Sequence, residues 1–126
     1  MSVVAQLVES GEITDPKSAK GRLLSEAAKL FTSRGYDRTT VRDLAAALGI
    51  QSGSLFHHFK TKEDILCAVM HDTLLISNAR LQTAAESSDD LTETLRNLIQ
   101  CELTAIMGET RAALTVLVHE WRTISE

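Results

Sequence analysis

Residues 40–59 read TVRDLAAALGIQSGSLFHHF and contain two short helical patterns separated by very few residues. In the first pattern apolar residues recur every three or four positions, which predicts an amphipathic helix that ends at Gly49. A second helix is expected to begin at Ser52, because serine caps helix N-termini well. Two helices that cross steeply over so short a connection need a small residue where they touch, and Ala45 lies at that point. The stretch therefore predicts a helix-turn-helix.

Local signals indicate where these two helices begin and how they pack. Thr40 followed by Asp43 predicts a capping box, in which each side chain accepts a hydrogen bond from the other residue's backbone N–H. Ile50 is expected to tuck into the core beneath the turn. Leu55 and Phe59 lie one helical turn apart, and we expect them to anchor the second helix against its supports.

The other positions of the second helix are small or hydrogen-bonding residues that would face away from those anchors. Side chains of this kind can approach base edges closely in the major groove of DNA. They are Gln51, Ser52, Gly53, Ser54, His57 and His58. Arg42, Lys60 and Lys62 add positive charge beside them, which favours contact with phosphates.

Charge is divided unevenly along the chain. The net charge of −4 over 126 residues would by itself argue against a polyanionic partner. Residues 16–62, however, hold nine Lys or Arg and three Asp or Glu, a balance of +6, whereas the rest of the chain carries −10. This division predicts that residues 16–62 face an anion and that the remainder faces something else.

Helix start and stop signals extend the helical prediction to the whole chain. A first helix is expected to begin at Asp15–Pro16 and to end at Gly35. Three more are expected after the helix-turn-helix, from Thr61 to Ala84, from Asp90 to Gly108, and from Thr110 onward. No strand-like alternation persists, so the predicted fold class is all-α.

Apolar stripes predict the buried faces of the last two helices. The stripe of the fifth helix consists of Leu91, Leu95, Leu98, Ile99, Leu103 and Ile106. That of the sixth consists of Leu114, Leu117, Val118 and Trp121. We expect three parts: a flexible N-terminal arm over 1–15, a helix-turn-helix DNA-binding domain over 16–62, and the start of a second helical domain over 63–126.

Several other classes of protein find no support in the sequence. Cys67 and Cys101 lie far apart within apolar patterns, so we interpret them as small buried residues in a reducing cytoplasm. No Cys or His cluster has zinc spacing, and we predict neither a metal nor a cofactor. The N-terminus lacks the basic start of a signal peptide, and no apolar run is long enough to span a membrane. These features predict a cytoplasmic bacterial protein.

The segment 21–66 contains RLLSEAAKLFTSRGYDRTTVRDLAAALGIQSGSLFHHFKTKEDIL and resembles the DNA-binding domain of the TetR (tetracycline repressor-like) regulators. Its motifs occur in family order: Ala-x-x-Leu-Phe, Gly-Tyr, Thr-Thr-Val-x-Asp-Leu-Ala, Leu-Gly, and Leu-Phe-x-His-Phe-x-x-Lys-Glu. The match covers a little over a third of the chain. It implies a three-helix helix-turn-helix head, followed by a partial helical domain for effector binding and dimerisation.

The resemblance also implies which residues would contact DNA. These are Thr40, Arg42, Gln51, Ser52, Gly53, Ser54, Phe56, His57, His58 and Lys62. Arg42 and residues 51–54 would read bases, and Thr40, His57, His58 and Lys62 would contact phosphates. Many relatives have two tyrosines where this chain has Phe56 and His57, so a phenolic hydroxyl is lost at each position and an imidazole would serve at the second.

The second half of the chain carries weaker signals. Relatives are usually longer and dimerise through their last two helices, so the chain is expected to be short or truncated and to form a homodimer. The run His119–Arg122 resembles a segment of family members that respond to fatty acyl or other lipid-like effectors. An effector pocket could be lined by Met70, Leu74, Leu103, Ile106, Met107, Leu117 and Trp121, although such a stripe is more often core.

Three functions remain open at this point. The first is a transcriptional repressor that binds a double-stranded DNA operator and is released by a small, lipid-like effector. The second is a shortened partner-binding regulator that titrates a full-length sibling. The third is an enzyme delivered to DNA, such as a recombinase. It would need a catalytic cluster that the sequence does not show, so no enzymatic activity is predicted.

Overall fold

The computed structural model describes residues 2–108 and 111–124, and every regular element in them is an α-helix. The all-α fold expected from the sequence is confirmed. Seven helices follow one another in this part of the chain: α1 (Val3–Glu9), α2 (Ala19–Ser33), α3 (Val41–Leu48), α4 (Ser52–Leu55), α5 (Lys62–Glu86), α6 (Leu91–Met107) and α7 (Arg111–Ile124). The predicted start of the last helix at Thr110 lies outside the described residues.

One hydrophobic core joins the helix-turn-helix to the helices that follow it. Helix α2 contributes the largest share, including Leu23, Ala27 and Phe31, and helix α5 contributes Ile65 and Leu66. Helix α7 reaches the same core through Val116, whose side chain is only 1% exposed. The head and the later helices therefore share packing, and α2 rests on both α5 and α7.

Helix α2 begins later than the sequence predicted. Its N-cap is Ser18, whose hydroxyl accepts the Gly21 N–H at 2.9 Å, so the start expected at Asp15–Pro16 was wrong. Asp15 instead stabilises a turn before the helix by accepting the Lys17 N–H at 2.9 Å. Gly21 is required beside this turn because a Cβ there would collide with the Asp15 carbonyl oxygen.

The N-terminal segment contains a helix that the sequence analysis missed. Helix α1 is capped by Ser2, whose hydroxyl accepts the Ala5 N–H at 3.1 Å, and it packs on α5. Beyond it, Ile13 is buried, and the Thr14 N–H donates to Asp72 Oδ2 at 3.2 Å. The segment expected as an arm is thus helical in part and joined to α5, because one apolar residue and one carboxylate hold its end.

The apolar stripe predicted for the fifth helix corresponds to α6, and the prediction that it is buried was wrong. Only Leu98 is half-buried in this set, whereas Leu91, Leu95, Ile99, Leu103 and Ile106 are each more than half exposed. Helix α6 packs mainly on α5, and no described element lies over the outer side of this stripe. Periodicity reports which side of a helix is apolar, not whether another element covers it.

The final helix is rotated relative to the prediction. Val116 is its buried residue, whereas Val118 and Trp121 are more than half exposed and Leu114 and Leu117 are half-buried. The cause is that α7 packs against α2 and α5 rather than covering α6. Cys67 and Cys101 are free thiols and half-buried rather than fully buried, and burial raises the pKa of the Cys67 thiol.

Candidate nucleic-acid interface

The predicted capping box at the start of α3 is confirmed. The Asp43 N–H donates to Thr40 Oγ1 at 3.1 Å, and the Thr40 N–H donates to Asp43 Oδ2 at 2.9 Å. These hydrogen bonds from Thr40, together with the Arg34 guanidinium 3.3 Å away, lower the pKa of the Asp43 carboxyl. Helix α3 therefore starts at a fixed residue, which sets the direction of the side chain of Arg42 two positions later.

The turn after α3 forms as expected, but one of its side chains does not. Gly49 adopts the left-handed conformation with φ of +68°, and it ends the helix. Ile50, expected in the core, is 40% exposed and lies at a shallow surface depression with Ala47 and Leu48. Its backbone N–H bonds back to the Ala45 carbonyl at 3.0 Å, and this path leaves its side chain at the surface.

Helix α4 is shorter than predicted and is capped differently. It spans Ser52–Leu55, with Gln51 as the N-cap residue and no side-chain hydrogen bond at the cap, so the capping role predicted for Ser52 was wrong. The chain continues as a hydrogen-bonded turn, in which the Phe59 N–H donates to the Leu55 carbonyl at 3.0 Å. Leu55 is 1% exposed and Phe59 8%, so both predicted anchors are confirmed as buried.

The anchors leave the predicted DNA-contacting side chains at the surface. Ser52 and Lys62 are half-buried, and the others are exposed: Thr40, Arg42, Gln51, Gly53, Ser54, Phe56, His57 and His58. Gly53 is open enough that an added Cβ would meet no atom within 4 Å. In the part of the chain that the structure describes, α3 packs mainly on α2 and α4, whereas α6 and α7 pack mainly on α2, α5 and each other.

Lysine and arginine side chains around this surface differ in whether they already bind other residues of the protein. Lys62 donates to the Tyr36 carbonyl at 2.8 Å, and its ammonium lies 4.0 Å from the centre of the Tyr36 ring. Arg34 pairs with Asp43, whereas Arg42 makes no ion pair with the residues described. Arg42 is thus the more available cation, and Lys62 also holds the loop before α3.

Two residues that support the surface were not singled out from the sequence. Thr39 is fully buried, and its hydroxyl donates to the Gly35 carbonyl at 2.8 Å. Lys20 on α2 places its ammonium 5.0 Å from the centre of the Phe59 ring. The run Gly35–Thr40 gave a signal for Thr39, since threonine in turns often bonds to nearby backbone. The contact of Lys20 depends on folding and had no local signal.

The residues predicted for an effector pocket do not line one common cavity in the described residues. Met70 is in the core, Leu74 and Trp121 are 53% exposed, and Met107 is 81% exposed. Leu103 lies on the open side of α6, Ile106 is likewise exposed, and Leu117 packs against the core from α7. The apolar sides of α6 and α7 diverge because α7 packs on α2.

The fold and this surface place the head of this chain in the class of helix-turn-helix domains. Residues 23–69 match the family described as bacterial regulatory proteins, tetR family. The chain is 38% identical over 107 residues to the HTH-type transcriptional repressor KstR2 of Mycolicibacterium smegmatis. This alignment covers 85% of the present chain and 51% of KstR2. The chain belongs to the TetR family. It spans about half the length of the curated relatives it matches.

Solved structures share this fold. The ketosteroid transcriptional regulator KstR2 of Mycobacterium tuberculosis aligns with a TM-score of 0.81 and 32% identity, over 90% of this chain and 58% of that one. A structure described as the superantigen pfit aligns with a TM-score of 0.80 and 49% identity, over 94% and 58%. Among the helices described, none is long and apolar enough to cross a membrane.

Proposed function

We propose that this chain contributes the operator-binding head of a transcriptional repressor. The observation that carries the proposal is the row from Gln51 to Ser54, exposed except for half-buried Ser52 and held outward by the buried anchors Leu55 and Phe59. A rigid, small-residue surface of this kind can enter the major groove and approach base edges.

The residues of the interface have different expected roles. Arg42 and residues 51–54 would read bases, while Thr40, His57 and His58 would contact phosphates. Phe56, which is 53% exposed, would pack on a sugar or a thymine methyl. Lys62 would add charge near the backbone while retaining its bond to the Tyr36 carbonyl.

We further propose that the regulator acts as a homodimer, with two heads that meet successive major grooves about one helical turn apart. A small effector bound in the second domain would change the spacing of the heads and lower the affinity for the operator. The name of one relative, a ketosteroid transcriptional regulator, supports a lipid-like effector of the kind expected from the run His119–Arg122.

A salt series tests DNA binding directly. Fluorescence anisotropy with a labelled duplex from the promoter region beside the gene should show binding that weakens as salt rises, because phosphate contacts release counterions. Arg42→Ala should cost roughly 1–3 kcal/mol of sequence-specific binding if Arg42 reads a base. Arg96→Ala, which removes the same charge from exposed α6, is the matched control and should bind normally.

Two outcomes would contradict parts of this proposal. Binding that is absent at low salt refutes DNA recognition by this head. Equal losses for all DNA sequences with Arg42→Ala would instead assign Arg42 to phosphate contact.

A second candidate function is a shortened regulator that titrates a longer sibling. The observation in its favour is the exposed apolar side of α6, which carries Leu95, Ile99 and Leu103. Sedimentation of the chain with and without a full-length relative would separate the two functions. A mixed dimer that no longer binds the duplex favours titration.

A further inference from the structure

A cavity of about 170 Å³ lies where the helix-turn-helix head meets the later helices. Helices α2, α5 and α7 form its walls, and the segment before α2 lies across one end through Thr14 and Pro16. Its apolar lining includes Leu24, Val69 and Ile76. None of the residues predicted for an effector pocket contributes to it, so it is a different place from the lipid-like effector site.

The cavity persists because small side chains meet where larger ones could have filled the space. Ala28 from α2 faces Ala112 and Ala113 from α7 across it. The two helices also approach each other at that point, since the Thr32 hydroxyl, 2.8 Å from the Ala28 carbonyl oxygen of its own helix, lies 3.1 Å from the Ala112 carbonyl oxygen. The space is therefore bounded by packed and hydrogen-bonded helices rather than by loose chain.

A carboxylate is the main polar group at the edge of this apolar space. The Asp72 side chain is only 17% exposed, and its Oδ2 accepts the Thr14 N–H at 3.2 Å. Its Oδ1 lies 3.2 Å from His71 Nδ1. Because two carboxylate oxygens offer about four acceptor positions, Asp72 can accept a further hydrogen bond from a molecule in the cavity.

The other charged group in the lining does not compete for the same role. Lys29 also lines the cavity, but its ammonium lies 3.4 Å from the Glu26 carboxylate and its side chain is 63% exposed. Of the two charged residues in the lining, Asp72 is thus the one with the less exposed side chain, and Lys29 is paired with a carboxylate. A molecule with a positive head and an apolar body would satisfy both features.

We propose that this cavity binds a small amine, with a single ring or short aliphatic body between α2 and α7 and its ammonium on Asp72. The size supports a molecule of this kind, since an apolar cavity of roughly 150 Å³ holds one benzene. Larger drug-sized or steroid ligands use pockets of about 300 Å³ or more.

The place of the cavity gives such a molecule a means of regulation. Helix α2 packs on α3, which packs on α4, while α5 and α7 pack on each other and on α6. A molecule that fills the space among them would hold α2 at one angle and so change the direction of the DNA-contacting surface. This regulatory step rests on the proposed function, whereas binding of the amine does not.

Binding is tested on the 126-residue chain without DNA. Benzylamine is titrated into labelled protein and followed by backbone amide NMR, with benzyl alcohol as the neutral analogue. Saturable shifts are expected at Thr14, Asp72 and Ala113, with benzylamine binding about tenfold more tightly than benzyl alcohol. Asp72→Asn should abolish that preference, while Asp89→Asn in an exposed loop should keep it.

Variants that fill the cavity complete the test. Ala113→Phe and Ser77→Met should each lose benzylamine binding while retaining helical circular dichroism, and the second keeps the test valid if the first does not fold. No shifts up to about 10 mM benzylamine, or equal affinity in the wild type and Asp72→Asn, would overturn the proposal. Amine binding without any change in affinity for DNA overturns only the regulatory step. Absence of DNA binding both with and without the amine, in a chain that still binds the amine, contradicts the proposed function alone.

Discussion

Gly53 offers a way to separate the stability of the head from its contact with DNA. The residue lies in α4, and a Cβ added there would meet no atom within 4 Å. It does not share the positive φ of Gly11, Gly35 and Gly49, so alanine can adopt its conformation without strain. Gly53→Ala should therefore raise the free energy of unfolding by about 0.4–1 kcal/mol, because the unfolded chain loses conformational freedom.

The same methyl group should weaken DNA binding if α4 enters the major groove. Its position beside Ser52 and Ser54 would keep the backbone away from the base edges and cost about 1–3 kcal/mol, the contribution of one good base contact. Stability is measured by urea denaturation followed by circular dichroism. Affinity is measured by fluorescence anisotropy with the promoter duplex and with an unrelated duplex of the same length.

Thr92→Ala on exposed α6 serves as the control and should leave affinity unchanged. If Gly53→Ala is more stable and binds the promoter duplex as tightly as the wild type, α4 does not approach DNA closely. If it is less stable, the added methyl group meets a neighbouring atom in the folded protein, which contradicts the prediction.

Three further predictions concern stability and reactivity. Leu55→Ala should lower the free energy of unfolding by about 2–5 kcal/mol in urea denaturation, because the substitution leaves a cavity under α4. An unchanged midpoint would contradict the role of Leu55 as an anchor. Hydrogen bonds with Thr40 lower the pKa of the Asp43 carboxyl in the folded protein. The stability that Asp43 contributes is therefore present above its unfolded pKa of about 3.8 and is lost as pH falls through the lower folded value. Asp43→Asn should accordingly make the melting temperature less dependent on pH in the acidic range. Burial raises the pKa of the Cys67 thiol, so iodoacetamide should modify Cys67 more slowly than free cysteine at pH 8. Unfolding in guanidinium should remove the difference. Equal rates for the folded protein and free cysteine would refute this prediction.

Much of the head could be predicted because its signals are local. Thr40 and Asp43 lie three positions apart and satisfy each other within one helical turn. Gly49 ends α3 through its own backbone freedom, and Leu55 and Phe59 share one side of one turn. The contacts that decide these features join residues close in the chain, so the sequence carries them directly.

The positions of two residues in and near the head were not predicted correctly, because they depend on contacts that are not local. Ile50 was expected in the core because it is apolar, but the path of the chain after Gly49 places it at the surface. Lys62 was expected to bind only phosphate, but folding brings it to Tyr36, twenty-six positions earlier. Neither outcome could follow from spacing, because each depends on a partner that is distant in the chain.

By itself the sequence determined the class of fold, the boundaries of α3, the anchors of the helix-turn-helix and the family, since caps, glycines and apolar spacing act within a few residues. Three further features depend on how the helices pack together: α7 contacts α2 and buries Val116, the apolar side of α6 is left exposed, and a cavity remains beside Asp72. The reason is that hydrophobic periodicity specifies a side of a helix, whereas burial requires a second element whose position depends on the whole chain.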